Sequence, residues 1–175
     1  TELQLVAAVV DKKQMVERYS SHAWYAPAVA YEVLMQRVVQ EVSIPDTVSV
    51  TIDDMTGATP KGNQYKQNLL CHHEQLKKTG SRLRPDISFS SLHGRLRFMN
   101  SALSENVQIA DIVSYNVFRQ FTDYGADWER LPTELPVGLK ASLPVYEYLD
   151  RISGKFRTDG NGRIQGYGIV KFPMQ

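Results

Sequence analysis

Short runs of unbroken apolar residues alternate along this chain with longer segments whose apolar positions recur every three or four residues. Leu3 to Val10 (LQLVAAVV) is continuous and apolar and is closed by Asp11, Lys12 and Lys13, the pattern of a strand buried on both faces followed by a charged turn. Ala26 to Val42 carries Ala28, Tyr31, Met35, Val38 and Val42 at helical spacing, with Pro27 suited to a first helical turn and Pro45 closing the segment. Thr47 to Ile52 (TVSVTI) is rich in β-branched residues and predicts the next strand, which delivers Asp53 and Asp54 at its C-terminal end. After a loop over Thr56 to Gly62, Gln64 to Thr79 predicts a helix capped by Gly80, with Lys77 and Lys78 in the last turn. Two extended pieces, Asp86 to Ser91 and Arg95 to Asn100, are separated by His93 and Gly94 and read as a hairpin or as one bent strand.

Leu96 to Arg119 then runs from a short strand through a Ser-rich turn into a helix, Glu105 to Phe121, that is apolar over most of its surface. Its exception is one stripe at helical spacing, made of Ser104, Gln108, Asp111 and Tyr115. A helix so apolar is expected to be mostly buried. A buried, unpaired carboxylate costs several kcal/mol, roughly, so Asp111 is expected to face a cation, a metal or a wet cleft. Beyond it, 122–144 holds Pro132, Pro136 and several glycines and acids and predicts an irregular excursion, followed by a short helix near Val145 to Leu149 and a terminal strand at Gly168 to Phe172.

The alternation of strand and helix predicts an α/β layered domain with parallel neighbours. At 175 residues, 42% hydrophobic and 22% charged, the chain is long enough for one well-buried domain and too short to argue for two, with 122–175 as an irregular extension of it. No apolar run approaches the roughly 20 residues that cross a bilayer, no leader opens the chain, and a single cysteine excludes an internal disulfide framework, so a cytoplasmic protein is expected.

Net charge is only +1 but unevenly distributed. Lys61 to Arg97 carries eight basic residues against Glu74 and Asp86, a local charge of +6, and Phe98 to Asp150 is a local −5. Such blocks suit an acidic centre flanked by phosphate-contacting surfaces, with Lys61, Lys66, Lys77, Lys78, Arg82 and Arg84 as the nucleic-acid-binding candidates. A solvated surface remains the plainer account of charge alone.

Asp53, at a strand end, and Asp111, on the apolar helix, are the informative acids, with Asp54 beside the first. Carboxylates brought together from a strand end and a neighbouring helix suit Mg²⁺ or Mn²⁺, which prefer hard oxygen ligands and keep open positions for phosphate oxygens. Asp at a strand end is also an ordinary turn former. Cys71, His72, His73 and Glu74 look metal-like, but adjacent helical residues diverge by about 100° and cannot all hold one ion, so a helix surface is expected there. His93 is predicted to fall in a turn, and Glu32 is expected to face solvent.

SALSENVQIADIVSYNVFR resembles the C-terminal signature of the domain of unknown function 3800 family, a Ser-rich turn followed by Gln, one apolar residue, Ala-Asp and an apolar run. AAVVDKK, AWYAPAVAYEVLMQR and SVTIDDMTG are similar to that family's middle segments in the same order, and the resemblance is specific at Asp53, Gln108, Ala110 and Asp111. It implies a ribonuclease-H-like layered fold, with a mixed central sheet and flanking helices, around an acidic metal centre holding Mg or Mn. Asp53 and Asp111 would be catalytic, Asp53, Asp54 and Asp111 metal-binding, and Ser104 and Gln108 would support them. The function implied is a metal-dependent nuclease or related phosphodiesterase; the alternative is a non-catalytic binding module on the same fold. Such proteins open with a strand carrying Asp-Glu-Ser-Gly, which this sequence lacks. That strand is central in the sheet, so the expectation is that an upstream segment, or another chain, completes it.

Overall fold

A computed structural model of the chain describes residues 3–19, 25–43, 45–54, 59–124, 148 and 151–173. The protein is mixed α/β. In chain order the elements are β1 (Ala7–Val10), α1 (Lys12–Tyr19), α2 (Ala26–Glu41), β2 (Thr51–Asp53), α3 (Pro60–Thr79), β3 (Arg97–Met99), a one-turn 3₁₀ helix (Ser101–Leu103), α4 (Glu105–Tyr124) and β4 (Ile169–Phe172). The irregular excursion and short helix expected over 122–149 lie mostly outside the described residues.

The strands form two parallel pairs. β1 pairs with β4, Ala7 opposite Ile169 and Val10 opposite Phe172, and β2 pairs with β3, Thr51 opposite Arg97 and Asp53 opposite Met99. The second pair is extended by a parallel bridge between Val48 and Leu92. Val48 and Val50 accept from His93 and Arg97. Partners two residues apart on this chain are thus four apart on the facing one, so a bulge separates the Leu92 bridge from β3 and the two extended pieces do not make a hairpin; Asp86 to Ser91, expected to be extended, runs through turns instead and forms no strand. Gly94 sits in that bulge at φ 70°, a conformation an L side chain adopts only with strain.

Helices on both faces hold the pairs together. Tyr31, Met35 and Val39 of α2 meet Val48 and Val50, Leu69 and Leu76 of α3, and Phe89, Leu92 and Leu96 in the largest core cluster. Val29 and Val33, a little further round α2, meet Met15 of α1 and Val170 and Phe172 of β4. On the other side, Val113 and Val117 of α4 pack on Leu5, Phe156 and Ile169, and α4 touches both β1 and β2. These three clusters are where burial of apolar surface, about 25 cal/mol per Å², stabilises the fold.

The hydrogen-bond parity of the two pairs leaves two edges facing away from their partners. Leu5, Ala7 and Asp11 donate to Lys155, Gly168 and Phe172, so odd-numbered residues of the first arm serve β4. Val48 and Asp54 donate to Ser91 and Met99, so even-numbered residues serve β3. Peptide groups of Ala8 and Val10 on β1, and of Thr51 and Asp53 on β2, therefore point to the opposite edges, which pair with no strand among the described residues. Accordingly β1, apolar enough for a fully covered strand, is half-buried throughout and Thr51 is exposed.

Local signals account for the helix ends. Asp11 caps α1 by accepting from Gln14 N at 3.0 Å, so the expected charged turn is the first turn of a helix. α3 begins four residues before the expected Gln64, because Thr59 accepts from Gly62 N at 3.1 Å and Pro60 occupies the first turn. Gly80 closes it at φ 76° as expected, its N–H donating to Leu76 O. Among the described residues, no helix is long and apolar enough to cross a membrane.

Candidate acidic site and its surroundings

β2 ends at Asp53, and the chain after β3 passes directly over it. Asp53 Oδ1 accepts from Ser101 N at 3.0 Å, and the carbonyl of the same Ser101 accepts from Gln108 Nε2 at 2.8 Å. One residue thus ties the strand-end carboxylate to the first turns of α4. Asn100 caps the 3₁₀ turn through Ala102 N, and Ser104 caps α4 by accepting from Val107 N at 3.4 Å. The two polar residues expected to support the site therefore have distinct work: Ser104 starts the helix, and Gln108 fastens it to the Asp53 loop.

Asp111 lies one helical turn beyond Gln108 and is exposed. α4 is therefore not the mostly buried helix that its composition predicts. Among its described side chains Val107, Val113, Asn116, Val117 and Gln120 are buried, whereas Ile112, Tyr115 and Phe118 are 60, 56 and 60% exposed. The reason is that α4 has described sheet on one side only, against which Val113 and Val117 pack. The Gln108, Asp111 and Tyr115 stripe faces solvent, so Asp111 needs no partner to offset burial.

Asp54, next to Asp53, turns instead to α3 and pairs with Lys66 Nζ at 2.6 Å, and that ammonium also lies 5.8 Å from the Phe98 ring centre. A candidate metal ligand and a candidate phosphate contact thus neutralise one another. Among the described residues no three His, Cys, Asp or Glu side chains converge as a metal cage. Mg²⁺ asks for less, since it keeps most of its water and is held by one or two carboxylates together with substrate phosphates. Asp53 is half-buried beneath the Ser101 turn, and Asp111 is exposed on α4.

The other basic candidates are spread along α3. Lys61 and Lys78 are exposed at opposite ends of the helix, about 25 Å apart at 1.5 Å per residue. Lys77 pairs with Glu74 at 3.1 Å and donates to Gly94 O at 2.7 Å. Arg84 makes a two-pronged pair with Asp86 at 2.7 and 2.9 Å, and Arg82 reaches the Gln75 side-chain oxygen. Their sequence clustering does not become one patch along α3, because Lys66 and Lys77 are engaged by Asp54 and Glu74 and Arg84 lies beyond the helix in the following loop.

A second polar cluster, between α2, α3 and the 81–94 loop, escaped the sequence reading. Glu32 is buried, not solvent-facing: Oε1 accepts from Ser81 Oγ at 2.5 Å and Leu83 N at 3.2 Å, and Oε2 contacts His72 Nε2 at 3.0 Å. Burial pushes the Glu32 pKa up, but the hydrogen bonds from His72, Ser81 and Leu83 together outweigh it and hold the carboxyl below its ordinary range. Ser81 Oγ also accepts from Gln36 Nε2 and Arg84 N. His73, expected on the helix surface, is fully buried. Its Nε2 donates to Gly94 O at 3.2 Å, so Nδ1 accepts from Tyr31 Oη at 2.6 Å. The bulge at Gly94 is what turns that carbonyl toward His73 and Lys77. The available signal was the Glu32 and Gln36 pair, one turn apart beside the apolar row of α2.

Comparison of the chain with protein-family models, with curated proteins and with solved structures finds no match to any of them.

Proposed function

We propose that this chain carries the acidic centre of a metal-dependent phosphodiesterase acting on nucleic acid, in a ribonuclease-H-like domain. The observation that carries the reading is the Asp53–Ser101–Gln108 link, which holds a strand-end carboxylate against the beginning of the helix that presents Asp111. Ligands of open α/β sheets gather at the C-terminal ends of strands, where Asp53 stands. The edges of β1 and β2 that pair with no strand among the described residues, both underlain by α4, suit a layered sheet with one more strand between them.

In this reading Asp53 and Asp111 hold one Mg²⁺ or Mn²⁺, with water and phosphate oxygens filling the remaining positions. The ion, when bound, supplies a more acidic water and charge stabilisation for the leaving oxygen. Gln108 positions the α4 stripe by gripping Ser101, and Lys66, held by Asp54, lies at the rim, where a phosphate could compete for it. Exposed Lys61, Lys78 and Arg82 add long-range attraction for the substrate. The pairing of Asp54 with Lys66 favours the second reading, a non-catalytic nucleic-acid-binding module.

Cleavage of single- and double-stranded DNA and RNA, measured with Mn²⁺, with Mg²⁺ and with chelator, separates the two. The phosphodiesterase reading expects divalent-dependent cleavage in the parent and a loss of at least about a hundredfold in Asp53→Asn and Asp111→Asn. Binding without cleavage assigns the module.

A further inference from the structure

Three arginines from distant parts of the sequence meet at the other end of the layer. α2 runs through Arg37 to Glu41 and then leads into Val48, so this end is where β2 begins, opposite the end that carries Asp53. Arg157 is brought there by its backbone: its N–H donates to Leu5 O at 2.9 Å, just before β1, and a Cβ on the neighbouring Gly168 would overlap the Arg157 carbonyl. Its guanidinium pairs with Glu41, one turn after Arg37, and lies 5.8 Å from the Tyr167 ring centre. Arg84 is held close by the loop that Glu32 and Gln36 fasten to α2 through Ser81.

The side chains around this point do not satisfy the charge they assemble. Arg37 Nη1 makes a long bond to Gln40, at 3.3 Å, while its Nε and Arg157 Nη1 are both buried without a hydrogen-bond partner among the described residues. A buried N–H lacking an acceptor costs roughly 1 to 3 kcal/mol, more for a charged group, and guanidinium groups gathered together repel. Burial and then the charges of Arg157 and Arg84 depress the Arg37 pKa. Glu41 answers Arg157, and Asp86 answers Arg84 from an exposed position, which among the described residues leaves Arg37 with no carboxylate of its own. All three arginines are half-buried as residues while the two orphan donors are closed off, so an anion entering from solvent reaches them as these long side chains swing outward.

We propose that Arg37, Arg84 and Arg157 form a binding site for a terminal phosphate group, separate from the Asp53 and Asp111 centre. Guanidinium forks match the tetrahedral oxyanion, and several oxygens on one small ligand reach donors that no single carboxylate here can. The recessed position of the two orphan donors favours a projecting phosphate over one in mid-chain. The ligand is inorganic phosphate or the phosphomonoester end of a nucleotide or oligonucleotide.

The test is thermal unfolding of the full chain titrated with inorganic phosphate against chloride at matched ionic strength, then binding of one oligonucleotide with and without a 5′-phosphate. The site predicts a saturable rise in melting temperature with phosphate, an apparent dissociation constant raised about tenfold or more in Arg37→Met, and a smaller loss in Arg84→Met. Arg37→Met without phosphate should melt no lower than the parent, since it removes an orphan donor and a repelled charge. Asp111→Asn should keep the phosphate response whatever the fate of the acidic centre. Preference for the phosphorylated oligonucleotide assigns a nucleic-acid end as the source, and a response to inorganic phosphate alone assigns the free ion. A parent that responds to phosphate no more than to chloride, or an Arg37→Met protein that responds like the parent, overturns the proposal.

Discussion

Replacing Tyr31 by Phe removes one hydroxyl from a core position and leaves the ring in place. Tyr31 is 5% exposed, and its Oη lies 2.6 Å from Nδ1 of a fully buried histidine. The change opens almost no cavity, so the cost is the orphaned acceptor on His73, about 1–3 kcal/mol. His73 cannot escape by moving its proton to Nδ1, because Nε2 would then face the Gly94 carbonyl without one. For a chain of this length that is a fall in melting temperature of about 2–4 °C per kcal/mol. The pH dependence supplies a second readout. Burial raises the Tyr31 pKa above its ordinary 10.0, so the native state keeps its proton where the unfolded chain ionises. That contribution is intact below about pH 10 and is lost as pH rises through the native value, and Tyr31→Phe lacks the limb altogether. Urea unfolding at pH 7 and above pH 10 should therefore show a gap between parent and variant that narrows on the alkaline side. Equal stability of the two proteins at pH 7 refutes the Tyr31–His73 pairing.

Glu32→Ala should cost about 3–5 kcal/mol, because it strands Ser81 and Leu83 N inside the α2–α3 interface, and calorimetry on the purified variant checks it. The native Glu32 pKa is lowered, so its contribution is present above the ordinary value near 4.5 and disappears as pH falls through the native one; the variant should lack that acid limb. Alanine at Lys61, Lys78 and Arg82 together should weaken nucleic-acid binding and flatten its dependence on salt concentration, and an unchanged slope removes α3 from the interface.

Much of the layout was legible because periodicity records which face of an element is covered. The apolar rows of α2 and α3, the β-branched run before Asp53, the terminal strand and the Gly80 cap all stand near where the pattern puts them. Helix starts were less legible, since Asp11 and the Thr59-Pro60 pair are equally good turn formers and only the cap hydrogen bonds decide. The exposure of α4 has a different cause. Its composition permits contact all round, but how much contact it receives depends on how many neighbours reach it, and Ile112, Tyr115 and Phe118 are left outside. At the acidic site, Asp53 and Gln108 could be singled out by type and spacing, whereas the Ser101 link between them is backbone geometry. Glu32 and His73 are buried by partners 49 and 21 residues away, a distance that no local pattern spans.

The central claim, that Asp53 and Asp111 share a divalent ion, is tested most directly by unfolding the parent, Asp53→Asn and Asp111→Asn across a Mn²⁺ titration. Ligand binding to the native state adds about 2.7 kcal/mol at a hundredfold excess over the dissociation constant, a rise of roughly 5–10 °C for a chain of this size. Shared coordination predicts that rise in the parent and its loss in both variants, with all three alike in chelator. A parent whose melting temperature ignores Mn²⁺, or a response that survives both substitutions, contradicts it.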